Sequence, residues 1–278
     1  MKIEYIFFLM LIAIFLTWQN NGLVTTNYSY KSEKVPDKFD GFKILHISDF
    51  HNKNFYGSLT NRMKEINPDI IVISGDLIDR RKTNLYTTTK FIQEIVKVAP
   101  VYYVSGNHEQ LSEHYAKLKV ILNNFNVINM DDFYTKLYRD GSSIGLIGIA
   151  DPAINADKKT YLYTSNNTYA RNILNHLTKD LKTEFNILLS HRPELLSVYK
   201  EFNIDLVFSG HAHGGQIRIP FIGGILSPNQ GFFPKLSEGM HKEGSTSIVV
   251  SRGLGNSLFP FRILNRPELI VVTLNKLF

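Results

Sequence analysis

The residues of this chain that could do chemistry fall at the ends of apolar runs. Ser209-Gly210-His211-Ala212-His213-Gly214 follows Ile204–Phe208, a run of β-branched and aromatic residues that reads as a buried strand closed by a turn. On an extended backbone residues i and i+2 point the same way. His211 and His213 are therefore expected to bring two imidazoles to one volume at a strand's carboxyl end, where open α/β sheets bind ligands. Four other runs end alike. Phe42–Ile47 leads to Ser48-Asp49-Phe50-His51, and Ile70–Ile73 to Ser74-Gly75-Asp76-Leu77-Ile78-Asp79-Arg80. Val101–Val104 leads to Ser105-Gly106-Asn107-His108-Glu109, and Asn186–Leu189 to Ser190-His191-Arg192-Pro193. Five of the nine histidines lie in these turns.

Each piece has a plainer reading by itself. An aspartate after a strand often caps the next helix, and an asparagine beside a glycine is an ordinary turn residue. His46, inside a strand, reads as a satisfied core histidine, and His114, His176 and His241 read as surface residues. Five strand ends carrying the same chemistry argue for one common centre.

Composition narrows what that centre can hold. The chain has 278 residues, a net charge of +6 and no cysteine. Disulfides, thiolate metal sites and a cysteine nucleophile are excluded. A metal must be held by imidazole, carboxylate or amide, a donor mix that favours Mn, Fe or Zn over Mg or Ca. The positive excess suits anionic substrates or surfaces. No Lys/Arg run is interleaved with aromatics, so nucleic-acid binding is not expected.

In this order, Asp-x-His, Gly-Asp-x-x-Asp, Gly-Asn-His-Glu, a lone His after a strand and Gly-His-x-His resemble the calcineurin-like metallophosphoesterases. The resemblance runs from about Phe42 to the C-terminus, and with the apolar N-terminus it is most similar to the membrane-associated bacterial branch. It implies an α/β fold, a four-layer β-sandwich flanked by helices. It also implies that Asp49, His51, Asp76 and His213 hold one divalent ion, and that Asp76, Asn107, His191 and His211 hold the other. His108 would sit over the substrate as a proton donor, braced by Asp79, with Arg80 near the phosphate.

Phosphate esters resist hydrolysis because an anion must be attacked and an alkoxide expelled. Two divalent ions roughly 3.5–4 Å apart address both problems by activating a shared water and clamping phosphoryl oxygens. Two dications, less the charges of Asp49, Asp76 and a bridging hydroxide, leave a single positive charge suited to a diester monoanion. A proton donor such as His108 typically contributes about 10²–10⁴-fold. The reading is a dinuclear-metal phosphodiesterase for a lipid-linked or nucleotide-linked diester or pyrophosphate, since some relatives in that branch cleave an acylated UDP-sugar (UDP-2,3-diacylglucosamine). Two alternatives share the fold: a phosphomonoesterase, and a metal-binding scaffold without catalysis.

The elements that must position these residues follow a strand–loop–helix order. Helical periodicity covers Ser58–Ile66, Thr87–Val98, Leu111–Asn123, Asn167–Leu181 and, beginning on proline, Pro193–Tyr199. Further strands are expected at Val127–Ile128, Tyr134–Tyr138 and Ile144–Ile149, with a polar loop at Asp151–Thr168. After His213 only strands follow, at Gln216–Ile219, Ser247–Ser251 and Leu269–Leu274. Three stages are expected along the chain: residues 1–19 as a membrane anchor or signal-like segment, 20–40 as a tether with room for one strand, and 41–278 as the catalytic domain.

The apolar stretch Tyr5–Trp18 spans roughly 21 Å as a helix, short of the roughly 30 Å hydrocarbon core. Thr17-Trp18-Gln19-Asn20-Asn21 offers no small-residue cleavage pattern, and tryptophan suits a membrane interface. An uncleaved anchor with an extracytoplasmic catalytic domain is expected. The loops Phe221–Leu226, Gly231–Pro234 and Ser257–Phe261 are unusually apolar. They either pack beneath the sheet or form a rim that faces lipid.

Overall fold

The computed structural model describes residues 2–155, 166–179, 181–256 and 259–277. The middle of the expected Asp151–Thr168 loop, residue 180 of the expected Asn167–Leu181 helix and the first two residues of the Ser257–Phe261 loop lie outside the described residues.

The chain begins with α1 (Lys2–Asn21), β1 (Val24–Ser32) and β2 (Lys43–Ile47). It continues through α2 (Ser58–Ile66), β3 (Ile70–Ser74), α3 (Leu85–Ile95), β4 (Val101–Val104), α4 (Asn107–Gln110), α5 (Tyr115–Asn124) and β5 (Ile128–Asn129). The second half holds β6 (Phe133–Arg139), β7 (Ser142–Gly148), α6 (Asn166–Thr178), β8 (Asn186–Leu189), α7 (Leu196–Tyr199) and β9 (Leu206–Ser209). Four two-residue strands follow, β10 (Arg218–Ile219), β11 (Gly223–Gly224), β12 (Leu226–Ser227) and β13 (Gly231–Phe232). The chain closes on β14 (Gly239–Glu243), β15 (Thr246–Val250) and β16 (Glu268–Lys276).

Two six-stranded sheets form, in the orders β1-β16-β2-β3-β4-β5 and β14-β15-β9-β8-β7-β6. Strands β2 to β5 run parallel, as do β15, β9, β8 and β7. Strict alternation builds the layers. On β3, Ile70 and Val72 face the second sheet while Ile71 and Ile73 face the helices α2, α3 and α5. On β9, Leu206 and Phe208 enter the inter-sheet core while Val207 packs outward with Ala170 and Leu174 of α6 and Val198 of α7. The result is the helix–sheet–sheet–helix sandwich that the sequence resemblance implies. Because β2, β3 and β4 of one sheet and β8 and β9 of the other are parallel within their sheets, their carboxyl ends can converge on one edge.

Two N-terminal expectations change. The helix α1 spans 20 residues rather than the 14 of the apolar stretch, about 30 Å of helix. It runs on through Gln19, Asn20 and Asn21: the Gln19 side-chain oxygen accepts the Asn265 N–H at 3.3 Å, Asn20 Oδ1 accepts the Arg262 N–H at 3.0 Å, and Asn21 Nδ2 donates back to Thr17 O at 2.9 Å. The helix is long and apolar enough to cross a membrane, and nearly all of it is exposed. The segment 20–40 is built into the fold instead of hanging as a tether. Every residue of β1 pairs in parallel with β16, and its Thr and Tyr side chains are strand formers. Helix expectations also shift: the expected Leu111–Asn123 helix begins later, as α5, and a separate short helix, α4, precedes it, beginning at the proposed ligand Asn107.

Candidate metal centre

Backbone hydrogen bonds carry the strand register past the strand ends and fix the turns against one another. Asp49 N–H donates to Gly75 O at 3.0 Å and His51 N–H to Asp76 O at 3.0 Å, extending the β2–β3 ladder. Gly210 N–H reaches His191 O at 3.2 Å, joining the ends of β8 and β9. The two sheets are tied where His211 N–H donates to the Asp49 carboxylate at 3.2 Å. Glycine is required where these turns meet. A Cβ on Gly210 would overlap Ser48 Oγ, and one on Gly106 would overlap the Asp76 carboxylate.

The side chains of Asp49, His51, Asp76 and His213 form one buried group whose ligand atoms lie within 4.8 Å of one another. His213 Nε2 is 3.2 Å from Asp49 Oδ1 and 3.3 Å from His51 Nε2, which is 3.6 Å from Asp76 Oδ2. A second group shares Asp76: His191 Nε2 stands 3.3 Å from Asp76 Oδ2 and 3.2 Å from His211 Nδ1. Asn107 Oδ1 is buried and has no hydrogen-bond partner among the described residues. The structure thus gathers all seven expected ligand residues at one edge of the sandwich, with Asp76 common to both groups.

The geometry by which they gather differs from the extended-backbone expectation. β9 ends at Ser209, and His211 and His213 lie beyond it with φ of 65° and 48°. Asp49, His51 and Asp76 also adopt positive φ, at 51°, 47° and 55°. For residues other than glycine this region is uncommon and mildly strained, and such strain concentrates at functional sites. His211 and His213 accordingly separate, one toward His191 and the other toward Asp49 and His51.

Burial sets the protonation of the imidazoles. It lowers His51 to about 3 and holds His211 and His213 well below the usual histidine range, so their ring nitrogens keep lone pairs. His191 donates from Nδ1 to Ser74 O at 2.7 Å, which directs Nε2 toward Asp76. Burial works against a charged His191, but Asp76 and its neighbouring carboxylates push it up to about 10. Burial raises Asp49 to about 6. A divalent cation among these atoms would hold the carboxylates ionised and displace the His191 proton. Converging lone pairs, two buried carboxylates and an orphaned amide oxygen fit a pair of divalent ions.

His108, at the start of α4, lies edge-on to His51 with ring centroids 4.4 Å apart. Its Nδ1 accepts the Arg80 N–H at 3.1 Å and is 3.5 Å from Asp79 Oδ1. The closer brace on this ring is thus a backbone amide of Arg80, with Asp79 beside it. Burial opposes the charge on Asp79, yet His108 and the Arg81 N–H hold its carboxyl below the usual carboxylate range. The Arg80 side chain is half-buried.

Residues 42–215, more than half of the chain, match the family model described as calcineurin-like phosphoesterase. The chain belongs to that family. It is 32% identical, over 90% of its length and 85% of the relative's, to the uncharacterized metallophosphoesterase YkuE of Bacillus subtilis (strain 168). It is 24% identical, over 88% of its length and 55% of the relative's, to a transmembrane protein with metallophosphoesterase domain of Danio rerio. Among solved structures, the NAD nucleotidase NadN of Haemophilus influenzae superposes with a TM-score of 0.51 at 16% identity, over 77% of this chain and 45% of that one, a likeness of fold. Family and buried Asp/His cluster together make the chain a dinuclear-metal hydrolase of phosphoric esters.

Four polar residues behind the expected ligands carry no role in the motif reading. Glu109 is fully buried and accepts N–H donors from Asp76 and Gly106 at 2.8 Å and from Ile78 at 3.0 Å, clamping the β3 and β4 turns together. Burial, with Asp76 nearby, pushes its carboxyl up to about 8. Arg192, fully buried, grips Asp151 through two nitrogens at 2.5 and 3.0 Å and donates to Asn229 Oδ1 at 2.8 Å. Asn229 Oδ1 also lies 3.0 Å from His211 Nε2, an outer partner that would leave Nδ1 free for a metal. Asp151 was within reach of the strand-end pattern, since it follows Ile144–Ile149 as Asp49 follows Phe42–Ile47. Asn229 had no such signal, because the turn between β12 and β13 meets His211 only through tertiary contact.

Proposed function

We propose that this chain is a membrane-anchored phosphodiesterase whose substrate is a lipid-linked or nucleotide-linked diester or pyrophosphate. Asp49, His51, Asp76 and His213 would hold one ion, and Asp76, Asn107, His191 and His211 the other. Bound there, the two ions supply Lewis acidity and a nucleophilic water near neutral pH. The observation that carries the preference for a diester is the charge of the donor set. Only Asp49 and Asp76 among the seven proposed ligands are anionic, so two dications leave a net positive centre. A diester's single negative charge suits such a centre, and four carboxylates in place of the imidazoles would have cancelled the attraction.

His108 is assigned as the proton donor to the leaving oxygen. With Nδ1 accepting the Arg80 amide proton, a neutral ring carries its own proton on Nε2, the atom 4.0 Å from Asp76 Oδ2. Asp79, with Oδ1 3.5 Å from Nδ1, is proposed to brace the ring. Arg80, next to this pair, is proposed to meet the phosphoryl oxygens. The helix α1 is proposed as the anchor, with the catalytic domain outside the cytoplasm. The test is turnover of bis-p-nitrophenyl phosphate against p-nitrophenyl phosphate by the Mn²⁺-loaded full chain in detergent. Faster diester hydrolysis is expected; a marked monoester preference would replace this reading with a phosphatase.

A further inference from the structure

The loops that wall the metal centre are apolar outward, and they are continuous with the end of α1. Trp18 lies under the Arg266 guanidinium at 4.6 Å, and Asn20 Oδ1 accepts both Arg262 N–H and Asn256 Nδ2 at 3.0 Å. The helix therefore leaves the domain from a fixed footing on Asn256 and the segment 259–266. That segment exposes Phe259 and Phe261. Its Ile263 pairs with Ile217, opening the β10–β11 loop, whose tip presents Phe221 bare to solvent and Ile222 exposed beside it. The β12–β13 hairpin lies next in line, held by Phe233 N–H to Ile225 O at 2.8 Å, and exposes Phe232 at 73% and Phe233 at 60%.

The same segments touch the metal ligands from behind. Asn265 Nδ2 donates to His213 O at 2.7 Å, and Asn229, in the hairpin turn, faces His211 Nε2 at 3.0 Å. One strip thus runs from the foot of a bilayer-length apolar helix, across six exposed large apolar side chains, to both halves of the centre. A contiguous apolar surface of this kind marks an interaction site, and its continuity with α1 selects the occupant. We propose that this rim seats in the surface of the bilayer that α1 enters, so that the metal centre draws its phosphoester from the lipid headgroup layer. This rests on α1 being the membrane anchor.

The absence of cysteine permits a direct test without first removing native thiols. Single nitroxides are placed on Phe221→Cys, Phe232→Cys and Phe261→Cys in the full chain, with Ile6→Cys on α1 and Val120→Cys on α5 as references. Each protein is reconstituted in vesicles of equimolar phosphatidylcholine and phosphatidylglycerol. The expected result is that the rim labels gain collisions with oxygen and lose collisions with a water-soluble nickel chelate, as Ile6 does and Val120 does not. Rim labels that behave like Val120 while Ile6 lies in lipid would refute the seated face and leave the anchor standing. An Ile6 label open to the nickel chelate would refute the anchor, and the proposal with it. Rim labels shielded from both reagents would mean that a second protein surface covers them, which also overturns the proposal.

Discussion

At the level of single side chains, Asp76 is common to both groups of ligand atoms, so its removal is expected to differ from that of its neighbours. Asp76→Asn should empty both metal positions, as read by elemental analysis. His108→Ala should keep both metals and slow turnover by about 10²–10⁴-fold, most for substrates with poor leaving groups. Metal loss in His108→Ala would show the ring to be a ligand instead. His46 provides a pH prediction away from the centre. It is fully buried against Phe208 and Ser74, and burial lowers it from 6.5 to about 3. Between those values the unfolded chain binds a proton that the folded chain refuses, so stability falls as pH falls through that window. His46→Phe should flatten the slope of unfolding free energy against pH there by up to about 1.4 kcal/mol per pH unit. An unchanged slope in denaturant titrations would show that the folded protein already accommodates a charged ring.

At the level of elements, the centre depends on how closely strand-end turns approach. Gly210→Ala would drive a methyl group into Ser48 Oγ, separating the β9 turn from the β2 turn. A stability loss of about 1–3 kcal/mol is expected from such overpacking, together with weaker metal retention on dialysis, because Asp49 and His211 sit on the two sides of that contact. Wild-type retention would show that the turns can part without disturbing the ligands. The Arg192–Asp151 pair joins the ends of β8 and β7 in the same manner. Asp151→Ala leaves the buried guanidinium with Glu194, 3.5 Å away, as its remaining carboxylate, and should cost about 3–5 kcal/mol in chemical denaturation. A cost under about 1 kcal/mol would mean that Glu194 or solvent takes over from Asp151.

At the level of the whole molecule, the apolar helix and the catalytic sandwich are one assembly, because Gln19 binds Asn265 and Asn20 binds Arg262. The full chain should therefore sediment with membranes, and external protease should digest its sandwich in spheroplasts. Intact protein in the soluble fraction would contradict the anchor, whereas membrane-bound protein resistant to that protease would contradict the orientation. Chelating the metals should lower the melting temperature of the detergent-solubilised chain, since a ligand at about a thousand times its Kd stabilises by about 4 kcal/mol. Restoration by Mn²⁺ would show that the loss was metal removal and not damage.

The convergence of Asp49, His51, Asp76, Asn107, His191, His211 and His213 was legible because parallel strands place their carboxyl ends together, so chemistry repeated at five strand ends reports one location without any coordinates. The alternation of β3 and β9 was legible for a similar reason: burial on both faces demands continuous apolar runs. What stayed hidden depends on distance in the chain. The αL turns that send His211 and His213 to different partners reflect hydrogen bonds between β2, β3 and β9 turns, against the local preference of those residues. Asn229 and Asn265 become partners of His211 and His213 only because the short strands β10 to β13 fold back beneath them. Whether Phe221, Phe232 and Phe261 face the core or the outside was likewise undecided by an apolar composition that suits both; the tertiary structure settles it, because the core clusters are already filled by the strands and helices and leave these loops at the surface.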